Sequence, residues 1–334
     1  MNIEKVKKRV LSVILDLIIS VYFIGCIAYL ANEWAGLSVD LLYVVIVGVL
    51  VAVVQNITGY SIGCWGYGFS AEGKKPWMHT FWGWFLVVLI ITTFVVGWII
   101  VQVNPYKFFM KFQNAGTIVN GIFSPNLGIL SECLAALAET IYLALLATVF
   151  AIPFAFVLSF FAARNLMPHT LLGNTVYLII RTIATIFRSI EAVVWAIIFS
   201  VWVGIGPYAG MLALMVHSIA ALTKLYSEQI ENIDHGTVEA IQATGATTLQ
   251  TWVYAVVPQI VSPFLAFTIY RWDINVRMAT IVGFVGGGGI GLLLLQQQQM
   301  LRWHNVGIII WLIAAVVWTM DIISAKVREK LQNS

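Results

Sequence analysis

The sequence predicts an all-α integral membrane protein, and two observations carry that prediction. The 334 residues are 60% hydrophobic and only 10% charged, with a mean hydropathy of +0.92. A soluble domain carries about 25% charged residues, so this chain lacks the charge to coat a surface facing water. Its apolar runs also reach about twenty residues, the length of helix needed to cross roughly 30 Å of hydrocarbon. The net charge of +3 is too slight to indicate a nucleic-acid partner. Cys26, Cys64 and Cys133 have neither metal-ligand spacing nor an even-numbered disulfide framework, and read as apolar fillers.

Taken in order, the first element follows a basic start, Lys5, Lys7, Lys8 and Arg9. An apolar run over residues 10–31 follows, with Asp16 inside it. A cleaved leader is the alternative, because Phe23-Ile24-Gly25-Cys26 loosely resembles a lipoprotein cleavage box. The length of the run and the buried acid favour an uncleaved first span. Spans over 41–62 and 80–103 come next. The loop after the first carries Glu33 and no basic residue, and the loop after the second carries Lys74 and Lys75. Basic residues mark cytoplasmic loops, so the N-terminus is expected inside and the third span is expected to exit outward. Residues 1–103 form one unit on this reading. Arg9, Asp16, Thr58-Gly59-Tyr60-Ser61-Ile62-Gly63 and Glu72-Gly73-Lys74 in it weakly resemble the RDD family of membrane domains. Cys64 and Trp65 stand where that family has basic residues, and three generic spans are the alternative. Neither reading supplies a chemistry.

Residues 104–131 read as a connector, punctuated by Asn104-Pro105 and Ser124-Pro125-Asn126. A short amphipathic helix around 106–112 would bring Lys107 and Lys111 to lipid headgroups. The core, 132–331, opens with a span over 134–161 that ends before Arg164. One long span over 172–203, a turn at Gly204–Pro207 and a span over 208–226 follow. Beyond Pro258 lie three apolar stretches, 259–270, 279–295 and 306–325. Lys326, Arg328 and Lys330 place the C-terminus inside, so an even number of crossings separates it from Pro258. The middle stretch, with six glycines over 283–291, is too flexible for a regular spanning helix. Eight spans result, with both termini cytoplasmic. No internal repeat is visible, which argues against an inverted-repeat carrier.

Residues 227–258 are the long polar interruption. Gly236 punctuates it, and Thr237 is expected to cap a helix of about two turns with Glu239 in its first turn. Gly245 is expected to end that helix, and a second helix to run into Pro258. The spacing of Glu239-Ala240-Ile241, Gly245 and Pro258 resembles the EAA loop of ABC importer permeases. Glu239, Ala240, Gly245 and Pro258 match in register, while Ile241, Ala255 and Val257 are apolar departures.

Charge inside the spans is the second signal, since such residues are costly and face a pathway or one another. Arg181, Arg188 and Glu191 lie in the fifth span; the arginines share a face, and Arg188 and Glu191 are spaced to pair on one helix. His217 and Lys224 lie in the sixth, and Arg271, Asp273, Asn275 and Arg277 precede the glycine-rich stretch. Arginine suits an oxyanion because its planar fork donates two parallel bonds. The alternative for each residue is mutual neutralisation. No nucleotide-cradling Gly-x-x-x-x-Gly-Lys loop, hydrolase elbow or metal-spaced cluster occurs, and His79, His169, His217, His235 and His304 are scattered, so nothing indicates an enzyme.

Over residues 132–331 the chain resembles the permease subunit of phosphonate ABC importers. Arg188 with Glu191, Gly204–Pro207, His217, Lys224 to Glu228, the loop above and the block from Tyr270 to Gly291 carry the resemblance. It implies a type I ABC importer permease fold of about five core spans, to which the three N-terminal spans are added. It further implies a homodimer in the cell membrane, two copies of a cytoplasmic ATPase that bind the ATP and Mg, and an extracytoplasmic solute-binding protein; this chain binds no cofactor. Glu239 would anchor in the ATPase, and the intramembrane charges would lower the barrier to an anion. Permeases for methionine, sulfonate or a quaternary amine are rival readings of the same machine. An ATP-independent carrier or channel, or a membrane enzyme or scaffold, are rivals of another class.

Overall fold

The computed structural model describes residues 3–71, 75–168 and 170–332, and no strand occurs among them. Glu72-Gly73-Lys74 and His169 lie outside the described residues. The chain forms two compact units, Met1–Lys111 and Phe112–Ser334. Among the described residues eight helices are long and apolar enough to cross a membrane.

The first unit contains α1 (Ile3–Ala35), α2 (Leu41–Thr58), α3 (Ile62–Gly66), α4 (Phe81–Ile100) and α5 (Pro105–Met110). Gly48 lets α1 and α2 touch, since a Cβ there would sit 2.7 Å from Cα of Val21. Ser12, Asp16 and Ser20, four residues apart on α1, make a buried polar seam. With no water in hydrocarbon, a carboxylate there must be met by protein donors. Gly63 N–H donates to Asp16 Oδ1 at 2.7 Å, and Ser61 Oγ and Asn56 Nδ2 donate to Oδ2 at 2.7 and 3.1 Å. Arg9 donates to the Asn56 carbonyl and lies 5.0 Å from the Phe69 ring centroid. Arg9 and Asp16 form no ion pair with each other among the described residues. The second span is shorter than its apolar run: Gly59, in the left-handed region at φ 76°, ends α2 at Thr58, so 59–62 are turn and the start of α3.

The second unit contains α6 (Phe112–Phe123), α7 (Leu130–Ala162), α8 (Leu171–Ser189), α9 (Ala192–Val203), α10 (Pro207–Glu231), α11 (His235–Ala243), α12 (Thr248–Thr251), α13 (Val257–Gly283), α14 (Gly289–Gln299) and α15 (Trp303–Gln332). The expected connector 104–131 is therefore two helices, α5 and α6, with the division between units falling at Lys111 and Phe112. Asn104 caps α5 by accepting from Lys107 N–H, and Pro105 takes the first turn, where no N–H is required. The core is built on small residues. Ala144, Ala147, Ala192, Ala196, Ala209 and Ala213 are fully buried in one cluster with Leu214, Val276 and Val282. Lipid tails are as apolar as leucine, so close backbone packing rather than dehydration drives such helix pairs together.

Two sequence expectations are corrected here, and a third is met. The single span over 172–203 is two helices, because Ile190 and Glu191 are extended and break the run between α8 and α9. A break at this depth frees backbone groups, and the Ile190 carbonyl is met by His217 Nδ1 at 3.1 Å. The helix after the polar loop does not stop at Pro258. It runs from Thr248 to Gly283, with a π-helical turn over Trp252–Val256 just ahead of the proline. A wide turn absorbs the missing N–H and the ring that would clash with the preceding turn. Residues 259–270 are accordingly part of that long helix. The expectation that 279–295 is not a regular spanning helix is met: these residues end α13, turn through Gly286 (φ 91°) and Gly288 (φ 78°), and begin the 11-residue α14.

Candidate functional site

The polar loop between α10 and α13 presents α11 outward, and no residue of α11 is fully buried. Val238 and Ile241 turn partly inward, while Glu239 and Ala240 are exposed. The cap is Asp234 rather than Thr237: Asp234 Oδ1 accepts from Gly236 N–H at 3.0 Å, and the Thr237 hydroxyl donates to Oδ2 at 3.1 Å. These donors, the Gly236 N–H first, hold the Asp234 carboxyl below its ordinary pKa. Asp wins because its short carboxylate reaches the N–H two residues on without entering the helix. Glu239 is then the fifth helical residue, past the first turn where the dipole favours an anion. Gly245 takes φ 82°, and its N–H closes on the Gln242 carbonyl at 3.0 Å. Thr247 and Gln250 form a reciprocal capping box at the start of α12.

The base of this loop is tied down. Ile233 is buried in the core, and Asp234 N–H donates to Gln259 Oε1 at 2.9 Å. Glu231, at the end of α10, accepts from Arg181 Nη1 at 2.6 Å and from Arg164 N–H at 2.9 Å. Arg181 thus serves as a strut between α8 and α10 beside the loop. Glu231 lies past the apolar run 208–226, so the charge pattern within that run does not reveal it. Lys224 lies 3.7 Å from Glu228, one turn along α10.

A second cluster lies among α7, α10 and α13. Asn275 is fully buried; its Nδ2 donates to Thr148 Oγ1 at 2.9 Å and Ser218 Oγ at 2.8 Å. Arg271, 6% exposed, donates through Nε to Ser218 Oγ at 3.1 Å, and its Nη2 has no partner. No carboxylate is within ion-pair distance of Arg271 among the described residues; Glu191 acts on it from farther away. His217 sits beside this group and feels Arg271, Glu191 and Arg188. The helix break separates Arg188 from Glu191, and no ion pair joins them among the described residues. Arg188 is exposed on α8. Thr148 and Ser218 escape sequence reading because single hydroxyls in a span carry no periodic or charge signal.

Asp273 and Arg277 form a separate pair. Arg277 Nη2 bridges Asp273 Oδ2 and, at 2.8 Å, Asp321 Oδ1, tying α13 to α15. At the start of α14, Gly289 N–H and Ile290 N–H are met by Glu139 Oε1 and Thr140 Oγ1 of α7 at 3.3 and 2.8 Å. Among the described residues no group of three or more His, Cys, Asp or Glu is arranged to hold a metal ion. The cluster offers a buried cation with hydroxyl and amide neighbours.

Residues 155–329 match the family described as the inner membrane component of binding-protein-dependent transport systems. The chain is 33% identical over 231 residues to the phosphite transport system permease protein PtxC of Stutzerimonas stutzeri, covering 66% of this chain and 82% of that protein. It is 31% identical over 241 residues to the putative phosphite transport system permease protein HtxC of the same organism, covering 72% and 84%. Among solved structures, a chain of the MetNI methionine ABC transporter in an inward-facing conformation superposes with a TM-score of 0.52 at 21% identity, covering 62% of this chain and 99% of that one. At that identity the likeness speaks to the fold alone, which is the type I ABC importer permease fold.

Proposed function

The chain belongs to the family of inner membrane components of binding-protein-dependent transport systems, and from that premise we propose that it is the multi-pass membrane subunit of an ATP-driven importer for phosphite, a phosphonate or a related phosphorus oxyanion. Two copies of the chain would pair in the membrane, with two copies of a separate ATPase on the face of α11 and a solute-binding protein on the other. Both termini would be cytoplasmic, as would α11.

The observation that carries the reading is the build of α11: a short helix with one exposed face that holds Glu239 and Ala240, capped by Asp234, ended by Gly245 and rooted through Ile233, Glu231 and Gln259 in the membrane core. A rigid element on a fixed root transmits displacement. ATP-driven closure of the ATPase pair would move α11, and α10 and α13 would rock with it to open the path alternately to each side. Glu239, Ala240, Gly245 and Pro258 are the coupling residues. The names of the relatives support the solute class, and so does the unpaired Arg271 Nη2. Arg271, Asn275 and His217 would line the anion's path, with Glu191 tempering the charge; Arg181, Lys224, Asp273 and Arg277 would hold structure, and Arg188 would face the path from α8.

Two measurements test this. Purification of the solubilised chain from its native membrane should recover an ATPase subunit, and Glu239→Lys should remove it. A folded wild-type chain that reproducibly comes out alone would favour an ATP-independent carrier. Arg271→Gln should cut phosphite uptake roughly tenfold, the loss expected for one charge-assisted bond, with the ATPase still bound. Unchanged uptake would remove Arg271 from the path.

A further inference from the structure

A cavity of about 560 Å³ lies in the second unit between α6 and the turn joining α14 to α15, lined by Thr117, Asn120, Ser124, Arg302 and His304 among others. It is far from the coupling loop. Helix α7 has 33 residues, a length of about 50 Å at 1.5 Å per residue. Its end at Ala162 leads into Arg164, which is bonded to Glu231 beside the coupling loop. Its beginning follows Asn126, whose N–H and side chain bond His304 and Asn305 in the cavity wall at 3.0 and 2.8 Å. The cavity and α11 therefore lie at opposite ends of the same spanning helix. If α11 meets the ATPase, the cavity opens on the side from which solute arrives.

The chemistry of this end is one-sided. Residues 112–131 contain no charged residue, and residues 296–307 contain only Arg302. Arg302 is exposed and has no carboxylate within ion-pair distance among the described residues. Three acceptors around it each already take a hydrogen bond within the protein. The Ser124 carbonyl accepts from His304 Nδ1 at 2.8 Å, the Asn120 carbonyl accepts from the Ser124 hydroxyl, and Asn126 Oδ1 accepts from Gly128 N–H at 2.9 Å. Among the residues lining the cavity Arg302 is the one with a full charge, and the Asn120 amide and Thr117 hydroxyl can each add a donor. Leu301 is held at φ 56°, a conformation rare for a branched side chain, at the turn that presents Arg302.

We propose that this cavity is an oxyanion-holding site, distinct from the Arg271 cluster, in which Arg302 binds its ligand bidentately with help from Asn120 and Thr117. The ligand is a phosphorus oxyanion or a carboxylate, since the fork of arginine accepts both. Its placement on the solute-delivery side rests on the transport reading above; its chemistry does not. A released anion held here would stay near the membrane subunit instead of diffusing away.

The test uses the full chain in nanodiscs with neither ATPase nor binding protein. Sodium phosphite is titrated while its ³¹P linewidth is followed, and sodium acetate is titrated separately while its methyl ¹H linewidth is followed. Saturable broadening of phosphite that Arg302→Gln weakens roughly tenfold, and Arg302→Lys weakens less, supports the site for the free solute. Broadening of acetate but not phosphite, lost in the same variant, supports the oxyanion site and assigns its ligand to a carboxylate of the delivering protein. Broadening of neither, or broadening indifferent to Arg302→Gln in a chain that elutes like wild type, overturns the proposal. Such a failure leaves the transport reading intact, which would itself fail only if ATP-driven uptake were absent.

Discussion

Gly245→Val is expected to abolish uptake, by well over about tenfold, while the chain inserts and remains as heat-stable as wild type. Gly245 stands just past the end of α11 at φ 82°, and a Cβ there would meet no atom within 4 Å. The defect is therefore conformational rather than a clash. A β-branched residue in the left-handed region costs about 1–2 kcal/mol, and the loop can avoid that cost only by leaving the geometry that aims α11. Because the loop is exposed, little stability is at stake; because it is the coupling element, the aim of α11 is everything. Gly245→Asn provides the control, since asparagine visits this region readily and should retain most uptake. The assay is phosphite uptake into proteoliposomes holding the chain with its ATPase and binding protein. Wild-type uptake by the valine variant would sink the assignment of α11 as the lever.

Arg277→Gln should have the largest effect on stability. Asp273 is 1% exposed, and Arg277 is the partner of its Oδ2, while Oδ1 has none. Removing the arginine strands a carboxylate away from water. Breaking a buried ion pair costs about 3–5 kcal/mol, and the partial exposure of Arg277 lowers that to an expected loss of roughly 2–3 kcal/mol. Asp321→Asn, at the half-exposed end of the bridge, should cost under about 1 kcal/mol. The decisive variant is Asp273→Asn with Arg277→Gln, which should recover much of the loss because no charge is left unpaired. Thermal unfolding in detergent reads all four proteins. An Arg277→Gln chain as stable as wild type but impaired in uptake would move Arg277 from structural bridge to anion path.

The two arginines that stand out in the block around Asn275 thus separate by environment. Arg271 and Arg277 are six residues apart on one helix, and a sequence reading treats them alike. Packing gives Arg277 two carboxylates and gives Arg271 a serine hydroxyl and an open Nη2. The same holds for Arg181, whose partner Glu231 is fifty residues away, at the last residue of α10 and past the apolar run of that span. Charge periodicity finds the residues that must be neutralised or used, but only the contacts across helices choose between those fates.

What the sequence by itself determined is whatever depends on local composition. Apolar runs of spanning length give, among the described residues, eight helices long enough to cross a membrane, because hydrocarbon thickness alone sets the requirement. Gly245 had to end α11, because the left-handed turn there suits glycine. The glycines around 283–291 kept that stretch from being a span. Tertiary structure decided the rest. Nothing local breaks the helix at Ile190 and Glu191; His217, from another helix, meets the freed carbonyl. Pro258 passes through a helix because a π turn precedes it. The Thr148, Ser218, Asn275 and Arg271 cluster exists only where α7, α10 and α13 meet. In a medium without water every polar group must find its partner within the protein, so the partners are set by which helices touch, and a linear pattern does not contain that information.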